Sequence, residues 1–200
     1  MTRIGIYGGT FSPPHNGHLL AAKTFMEQMW LDILYVIPTA LPPHKELEVA
    51  VSAEDRLAMT RLAFSGMEGV YVSDMEIARG GRSYTVDTLR ELYGEDRRLF
   101  LLCGTDMMLT LDTWRSPEEI FRMSYPVYIR RDNDRSLDEP IIQKIADYHQ
   151  KYGKVVRKLV TEPIELSSHE VREKLQKGES ISSLVPPAVE KYIRDKALYV

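Results

Sequence analysis

The chain is expected to fold as an α/β protein: a Rossmann-like, doubly wound parallel sheet in a single domain, with a small helical C-terminal part. Three observations carry this expectation. Strand-like and helix-like patterns alternate along all 200 residues, the order that builds a parallel sheet through right-handed crossovers. Leu99-Phe100-Leu101-Leu102-Cys103 is a continuous apolar run, as a strand buried on both faces requires. The first apolar segment also passes directly into Gly8-Gly9 and then a helical pattern, as the first βα turn of such a sheet does.

Each element has its own justification. Arg3–Tyr7 is a short apolar strand, and Leu19, Leu20, Ala22, Phe25, Met26 and Met29 recur at helical spacing in a helix expected to start near His18. Ile33–Ile37 is the second strand, stopped by Pro38. Ser52-Ala53-Glu54-Asp55 resembles a capped, acidic helix start leading into Leu57, Leu62, Ala63 and Phe64. Val70–Val72 is a brief strand, Thr85–Leu92 a helix stopping before Gly94, and Leu99–Cys103 the fourth strand. Ser116-Pro117-Glu118-Glu119 places a cap, a first-turn proline and two acids at another helix start. Val127–Ile129 is a strand, Glu139–Tyr152 a helix closed by Gly153, and Lys158–Val160 a strand. Ser167 or Ser168 caps a helix ending at Gly178, with Glu170 placed for a capping box. Pro187 opens a last amphipathic helix through Lys196. Asp132–Asp138 is expected to be an exposed loop. No repeat, low-complexity tract or linker divides the chain.

Composition narrows the function. A net charge of −3 argues against general nucleic-acid or anionic-membrane binding, while a local basic cluster for one anionic ligand stays compatible. No apolar run reaches membrane-spanning length, and the N-terminus enters a strand without a signal-peptide pattern. The lone Cys103 cannot form an internal disulfide, so a reducing cytoplasm is the expected home. One cysteine and five histidines, without a second ligand pair at metal spacing, argue against zinc, and no protein metal ligand is assigned. Oligomeric state is left open, a homo-oligomer being compatible with the sequence.

The segment Gly8-Gly9-Thr10-Phe11-Ser12-Pro13-Pro14-His15-Asn16-Gly17-His18 concentrates the chemistry. Glycines after a strand let a ligand sit close to the main chain. A following helix brings amide N–H groups and the positive end of its dipole, and His15 and His18 add donors at the same place. A nucleoside triphosphate suits this arrangement. In open α/β sheets ligands gather at the carboxyl ends of the strands. His15 and His18 follow the first strand, His44 and Lys45 the second, and Thr105 and Asp106 the fourth, so all converge on that edge.

The same segment resembles the G-G-T-F-D-P-x-H-x-G-H signature of the nucleotidyltransferases. Pro42-Pro43-His44-Lys45, Ser83-Tyr84-Thr85-Val86-Asp87-Thr88-Leu89, Gly104-Thr105-Asp106 with Trp114, and Ser167-Ser168 with Arg172 extend the likeness. Over essentially the whole chain it is similar to the bacterial nicotinate mononucleotide adenylyltransferases. The resemblance implies adenylyl transfer from ATP to nicotinate mononucleotide in NAD biosynthesis, with Mg²⁺ carried on the substrate phosphates. It implies catalytic roles for His18, His15, Lys45 and Arg172. It implies ATP binding by Gly8, Gly9, Thr10, Phe11, His15, His18, Ser167, Ser168 and Arg172, which places a phosphate clamp at the start of the C-terminal part, about 160–200. Thr85, Asp106 and Trp114 fall on the mononucleotide side, Asp106 toward ribose hydroxyls and Trp114 as a face for the pyridine ring.

The chain departs from the pattern in three places. His169 stands where a hydroxyl residue is usual, Ser12 where an aspartate is usual, and Arg130-Arg131-Asp132-Asn133 where an Arg-Pro-Gly turn is usual. These leave open the third clamp contact and any nucleotide role for Arg131. Alternatives are a sister transferase acting on another phosphate substrate, or a preference for nicotinamide mononucleotide. A nicotinamide-dependent oxidoreductase calls for G-x-G-x-x-G, which the histidine loop replaces. A non-catalytic nucleotide sensor fits poorly with His15, His18 and Arg172 all present.

Overall fold

The computed structural model describes residues 1–41, 51–130, 135–161 and 165–199. Its strands are β1 (Thr2–Gly9), β2 (Ile33–Pro38), β3 (Val70–Val72), β4 (Arg97–Gly104), β5 (Ser124–Ile129) and β6 (Arg157–Leu159). They form one six-stranded sheet in the order β3-β2-β1-β4-β5-β6, so the order reverses at β1. Strands β1 and β4, β4 and β5, and β5 and β6 pair in parallel, with Ile4 opposite Leu99 and Leu101 opposite Pro126. This is the doubly wound arrangement that the alternation of elements predicts. The helices are α1 (Asn16–Gln28), α2 (Ala53–Phe64), α3 (Met75–Arg79), α4 (Thr85–Leu92), α5 (Thr105–Leu109), α6 (Pro117–Met123), α7 (Asp138–Tyr152), α8 (Ser168–Gln176) and α9 (Pro187–Asp195).

The chain groups into two compact units. One comprises Met1–Tyr7, Lys23–Leu34 and Tyr84–Glu165. Its core holds Ile4, Ile6, Phe25, Met29, Leu34, Phe121, Tyr148 and the run Leu99–Cys103, all buried. The expected core thiol is there: burial pushes the Cys103 thiol up to about 12, with the Asp106 charge adding to it, so it stays protonated. Gly5 has a packing reason. A Cβ on it would lie 2.4 Å from Leu31 Cδ1 and 2.9 Å from Phe25 Cε1, so glycine lets α1 and the chain after it close on β1.

The other unit comprises Gly8–Ala22, Tyr35–Ser83 and Leu166–Val200. Phe11, Met59, Phe64, Val171, Ile181, Val189 and Ile193 form its buried core. Ser52 caps α2 by accepting the Asp55 N–H at 2.9 Å. The Tyr192 hydroxyl on α9 donates to the Asp55 carboxylate at 2.9 Å. Ser167 caps α8 by accepting the Glu170 N–H at 3.1 Å.

Several boundaries differ from the sequence reading. Helix α1 begins at Asn16, two residues before His18, because the His15 carbonyl already accepts the His18 and Leu19 amides. Ser116 is not a side-chain cap: it sits at φ 52° in the left-handed region and makes no capping bond. Strand β6 covers Arg157–Leu159, one residue earlier than expected. The short helices α3 and α5 escaped the periodicity, since five residues hold too little pattern. Of the expected loop Asp132–Asp138, residues 132–134 lie outside the described residues, Arg135–Leu137 forms a 3₁₀ turn, and Asp138 opens α7.

Candidate active site

The signature segment leaves β1 at Gly9 and enters α1 at Asn16. Residues 10–15 between them are held from several sides within their own unit. The Gly9 carbonyl accepts the Thr39 amide at 2.9 Å. The Ser12 carbonyl accepts from Arg172 Nη1 at 2.9 Å, and the Pro13 carbonyl accepts from Ser168 Oγ at 2.9 Å. The Ser12 hydroxyl lies 3.0 Å from the Tyr199 hydroxyl in a buried hydrogen bond. Burial pushes the Tyr199 phenol up to about 12, against the opposing pull of the Ser12 bond, so it stays neutral. The Asn16 amide donates to Leu184 O at 2.8 Å, and the Asn16 side chain to Ser183 O at 2.9 Å. The Ser12–Pro13 peptide is cis.

His15 and His18 are brought together. Their rings stack with centroids 3.7 Å apart, and both are buried. His18 Nδ1 accepts the His15 backbone N–H at 3.1 Å. In the neutral ring this places the proton on Nε2, so His18 presents a donor on its far side. The Phe11 ring meets the His18 ring edge-on at 5.0 Å and the Phe64 ring at 6.2 Å. Phe11 is 2% exposed and adopts φ 48°, a conformation a non-glycine residue holds only when packing fixes it. Its side chain is therefore a support under His18.

The two glycines of the turn serve different ends. A Cβ on Gly9 would sit 3.0 Å from the Phe11 ring, so Gly9 makes room for that ring. Among the described residues a Cβ on Gly8 would meet nothing within 4 Å, so neither their packing nor a left-handed dihedral demands glycine there. That open face is what close approach of a ligand to the main chain requires.

The expected clamp also reads differently in detail. Ser167 spends its hydroxyl on the α8 cap, while Ser168 and Arg172 tie α8 to the loop. His169 is exposed, with Glu173 one turn on at 3.8 Å. The chain therefore sets Ser168 and Arg172 at the loop and His169 on the outer side of the helix. Lys45, with Pro42, Pro43 and His44, lies outside the described residues, and so does Arg131. Its neighbour Arg130 forms an ion pair with Asp138.

Thr85, Asp106 and Trp114 belong to the other unit. Thr85 is the first residue of α4, and Asp106 is exposed in the first turn of α5. Trp114 closes the 3₁₀ turn Leu111–Thr113 and is half-buried; among the described residues no aromatic ring packs against it. The Arg115 guanidinium stacks 4.6 Å over the Tyr84 ring, which links the Trp114 segment to the start of α4.

Sequence reasoning left two residues that shape this region without a role: Arg56, and Ser83, which it named only as part of a motif. Arg56 on α2 is 1% exposed and donates to Thr10 O at 2.9 Å, Thr39 O at 2.7 Å and Ala40 O at 3.0 Å. Ser83 Oγ accepts the Ala40 amide at 2.9 Å, while the Ser83 amide donates to Leu41 O at 3.0 Å. A helix arginine reads as a solvated charge in sequence, and only the tertiary fold reveals its carbonyl partners.

Comparison with known proteins fixes the family. The cytidylyltransferase-like family matches residues 6–174. A protein of Desulfatibacillum aliphaticivorans described as a "probable nicotinate-nucleotide adenylyltransferase" is 38% identical over 215 residues, covering 99% of this chain and 100% of its own. One of the same description from Citrifermentans bemidjiense is 40% identical over 212 residues, covering 99% and 98%. Among solved structures, the Plasmodium falciparum nicotinic acid mononucleotide adenylyltransferase complexed with NaAD shares the fold. It has a TM-score of 0.78 at 20% identity, covering 100% of this chain and 98% of its own. The chain belongs to the cytidylyltransferase-like family and, within it, to the nicotinate-nucleotide adenylyltransferases.

Proposed function

We propose that this protein transfers the adenylyl group of ATP to nicotinate mononucleotide, in NAD biosynthesis. A phosphate oxygen of the mononucleotide attacks the α-phosphorus of ATP in line. The bond from the α-phosphorus to the oxygen bridging it to the β-phosphate breaks, pyrophosphate leaves, and nicotinate adenine dinucleotide forms. The observation that carries this reading is the full-length match to relatives of that description, in a chain whose His15–His18 pair is built into the loop.

Both reacting oxygens belong to the substrates, so the protein's task is to position them and stabilise charge. His18 offers its Nε2–H to the α-phosphate as negative charge shifts toward the leaving group. His15 contacts the same polyphosphate. Gly8, Gly9, Thr10 and the Phe11 backbone supply the surface against which the triphosphate lies. Arg172 adds a guanidinium, and Ser167 and Ser168 the first amides of α8, for the β- and γ-phosphates. Lys45, which follows β2 in sequence, adds a further positive charge. On the mononucleotide side, Thr85 binds phosphate or ribose, Asp106 accepts from ribose hydroxyls, and Trp114 stacks on the pyridine ring.

Among the described residues no group of three or more His, Cys, Asp or Glu is placed to hold a metal ion. The side chains named around the loop are imidazoles, hydroxyls and a guanidinium, poor ligands for Mg²⁺, so we propose that Mg²⁺ arrives on the substrate phosphates. When bound there it neutralises phosphate charge during transfer. Among the described residues no helix is long and apolar enough to cross a membrane, and we propose a cytoplasmic enzyme.

A pyrophosphate-release assay with ATP and nicotinate mononucleotide, nicotinamide mononucleotide or pantetheine phosphate tests this. Turnover should be highest with the nicotinate substrate. Preference for either of the others would move the chain to an alternative acceptor.

A further inference from the structure

We propose that Arg56 is a positioning residue for ATP. Its single guanidinium ties the Thr10 peptide of the signature loop to the Thr39 and Ala40 peptides after β2, and so fixes the spacing of the two backbone segments beside which the triphosphate lies. The inference rests on the reading above that ATP occupies the glycine loop.

The geometry is specific. Nη1 reaches Thr10 O, while Nη2 bridges Thr39 O and Ala40 O, at 2.7–3.0 Å. The planar fork of arginine points its two amino groups at separate acceptors in fixed directions, which one flexible ammonium cannot do. The side chain is 1% exposed, so it approaches the loop from the core side, and burial lowers its affinity for the proton. Among the described residues no carboxylate forms an ion pair with it, and its charge faces backbone carbonyls. Ser83 holds the opposite side of the same stretch, binding the Ala40 amide and the Leu41 carbonyl. Residues 39–41 are thus tethered by Arg56 through the Thr39 and Ala40 carbonyls and by Ser83 through the Ala40 amide and Leu41 carbonyl, beside the Gly9 carbonyl that accepts Thr39 N–H at 2.9 Å. A buried cation that only filled space would be an expensive choice next to an apolar side chain. Arg56 makes sense where loop geometry is what it maintains.

The test compares Arg56→Lys and Arg56→Ala with Ile193→Ala, a buried core variant on α9 of the same unit. All three are expected to lower the melting temperature. In the folded arginine variants the KM for ATP should rise about tenfold or more, in line with loss of hydrogen bonds to a charged donor. The KM for the mononucleotide should hold, and Ile193→Ala should show wild-type KM for both substrates. Methylguanidinium, but not methylammonium, should restore ATP binding to Arg56→Ala. Wild-type ATP KM in Arg56→Lys, or a shift no larger than in Ile193→Ala, would overturn the proposal. So would failure of both arginine variants to fold under conditions where Ile193→Ala folds, since Arg56 would then serve the core alone. Direct ATP-binding titrations of the same proteins separate this from the activity reading. A wild type that binds ATP yet releases no pyrophosphate sinks the activity and leaves the Arg56 comparison valid.

Discussion

His18 Nδ1 accepts the backbone N–H of His15 at 3.1 Å, while the two rings stack 3.7 Å apart. One bond settles three matters. It satisfies a buried amide at the start of α1, orients the His18 ring, and places that ring's proton on Nε2, the nitrogen assigned to the α-phosphate.

Structure and chemistry at His18 can therefore be separated by substitution. His18→Ala orphans the His15 amide and should cost about 1–3 kcal/mol of stability, as well as a rate loss on the order of 10²–10³ in kcat. His18→Asn carries an oxygen able to take the place of Nδ1 but has nothing at Nε2. It should melt close to wild type and remain as slow as the alanine variant. Thermal melts alongside steady-state kcat check this. An asparagine variant with near-normal kcat would make His18 a structural residue.

Gly8 gives the converse case. A Cβ there meets no atom of the described residues within 4 Å. Gly8→Ala should leave the melting temperature unchanged or raise it slightly, since the unfolded chain loses freedom worth about 0.4–1 kcal/mol. The KM for ATP should rise severalfold, because the methyl group occupies the space the triphosphate needs. A variant with both stability and ATP KM unchanged would move the phosphates away from Gly8.

Trp114 tests the mononucleotide side. It is half-buried, and among the described residues no ring packs on it, so removing the indole opens little of the core. Stacking on a base is worth roughly 1–3 kcal/mol, and a pyridine ring falls at or below that range. Trp114→Ala should raise the mononucleotide KM about tenfold, with ATP KM and melting temperature nearly constant. A large drop in melting temperature with unchanged mononucleotide KM would assign the indole to packing.

The legible parts of this chain were those whose information is local. The strand run Leu99–Cys103, the caps at Ser52 and Ser167 and the order of βα units follow from periodicity and cap chemistry, and the fold bears them out. Two histidines three residues apart after a glycine turn pointed to the loop for the same reason. What stayed hidden depends on residues far apart in sequence. Tyr199 reaches Ser12 across 187 positions, and Arg56 finds its carbonyls 16 to 46 positions away. Glycine also carries no label for its purpose. Gly5 is there for Leu31 and Phe25 and Gly9 for Phe11, whereas Gly8 presents a face open toward the described residues. Ser116 misled because a Ser-Pro-Glu-Glu string has cap chemistry, whereas its left-handed backbone makes no capping bond.

The proposed chemistry is direct transfer of the adenylyl group between two substrates, with the protein positioning the group and never bonding to it. A rapid-quench single turnover with α-³²P-labelled ATP and nicotinate mononucleotide tests this most directly. The label should pass from ATP to nicotinate adenine dinucleotide in step with an equal amount of pyrophosphate, with none retained on acid-precipitated protein at any time. Label on the protein before product appears, or release of labelled AMP without dinucleotide, would contradict it.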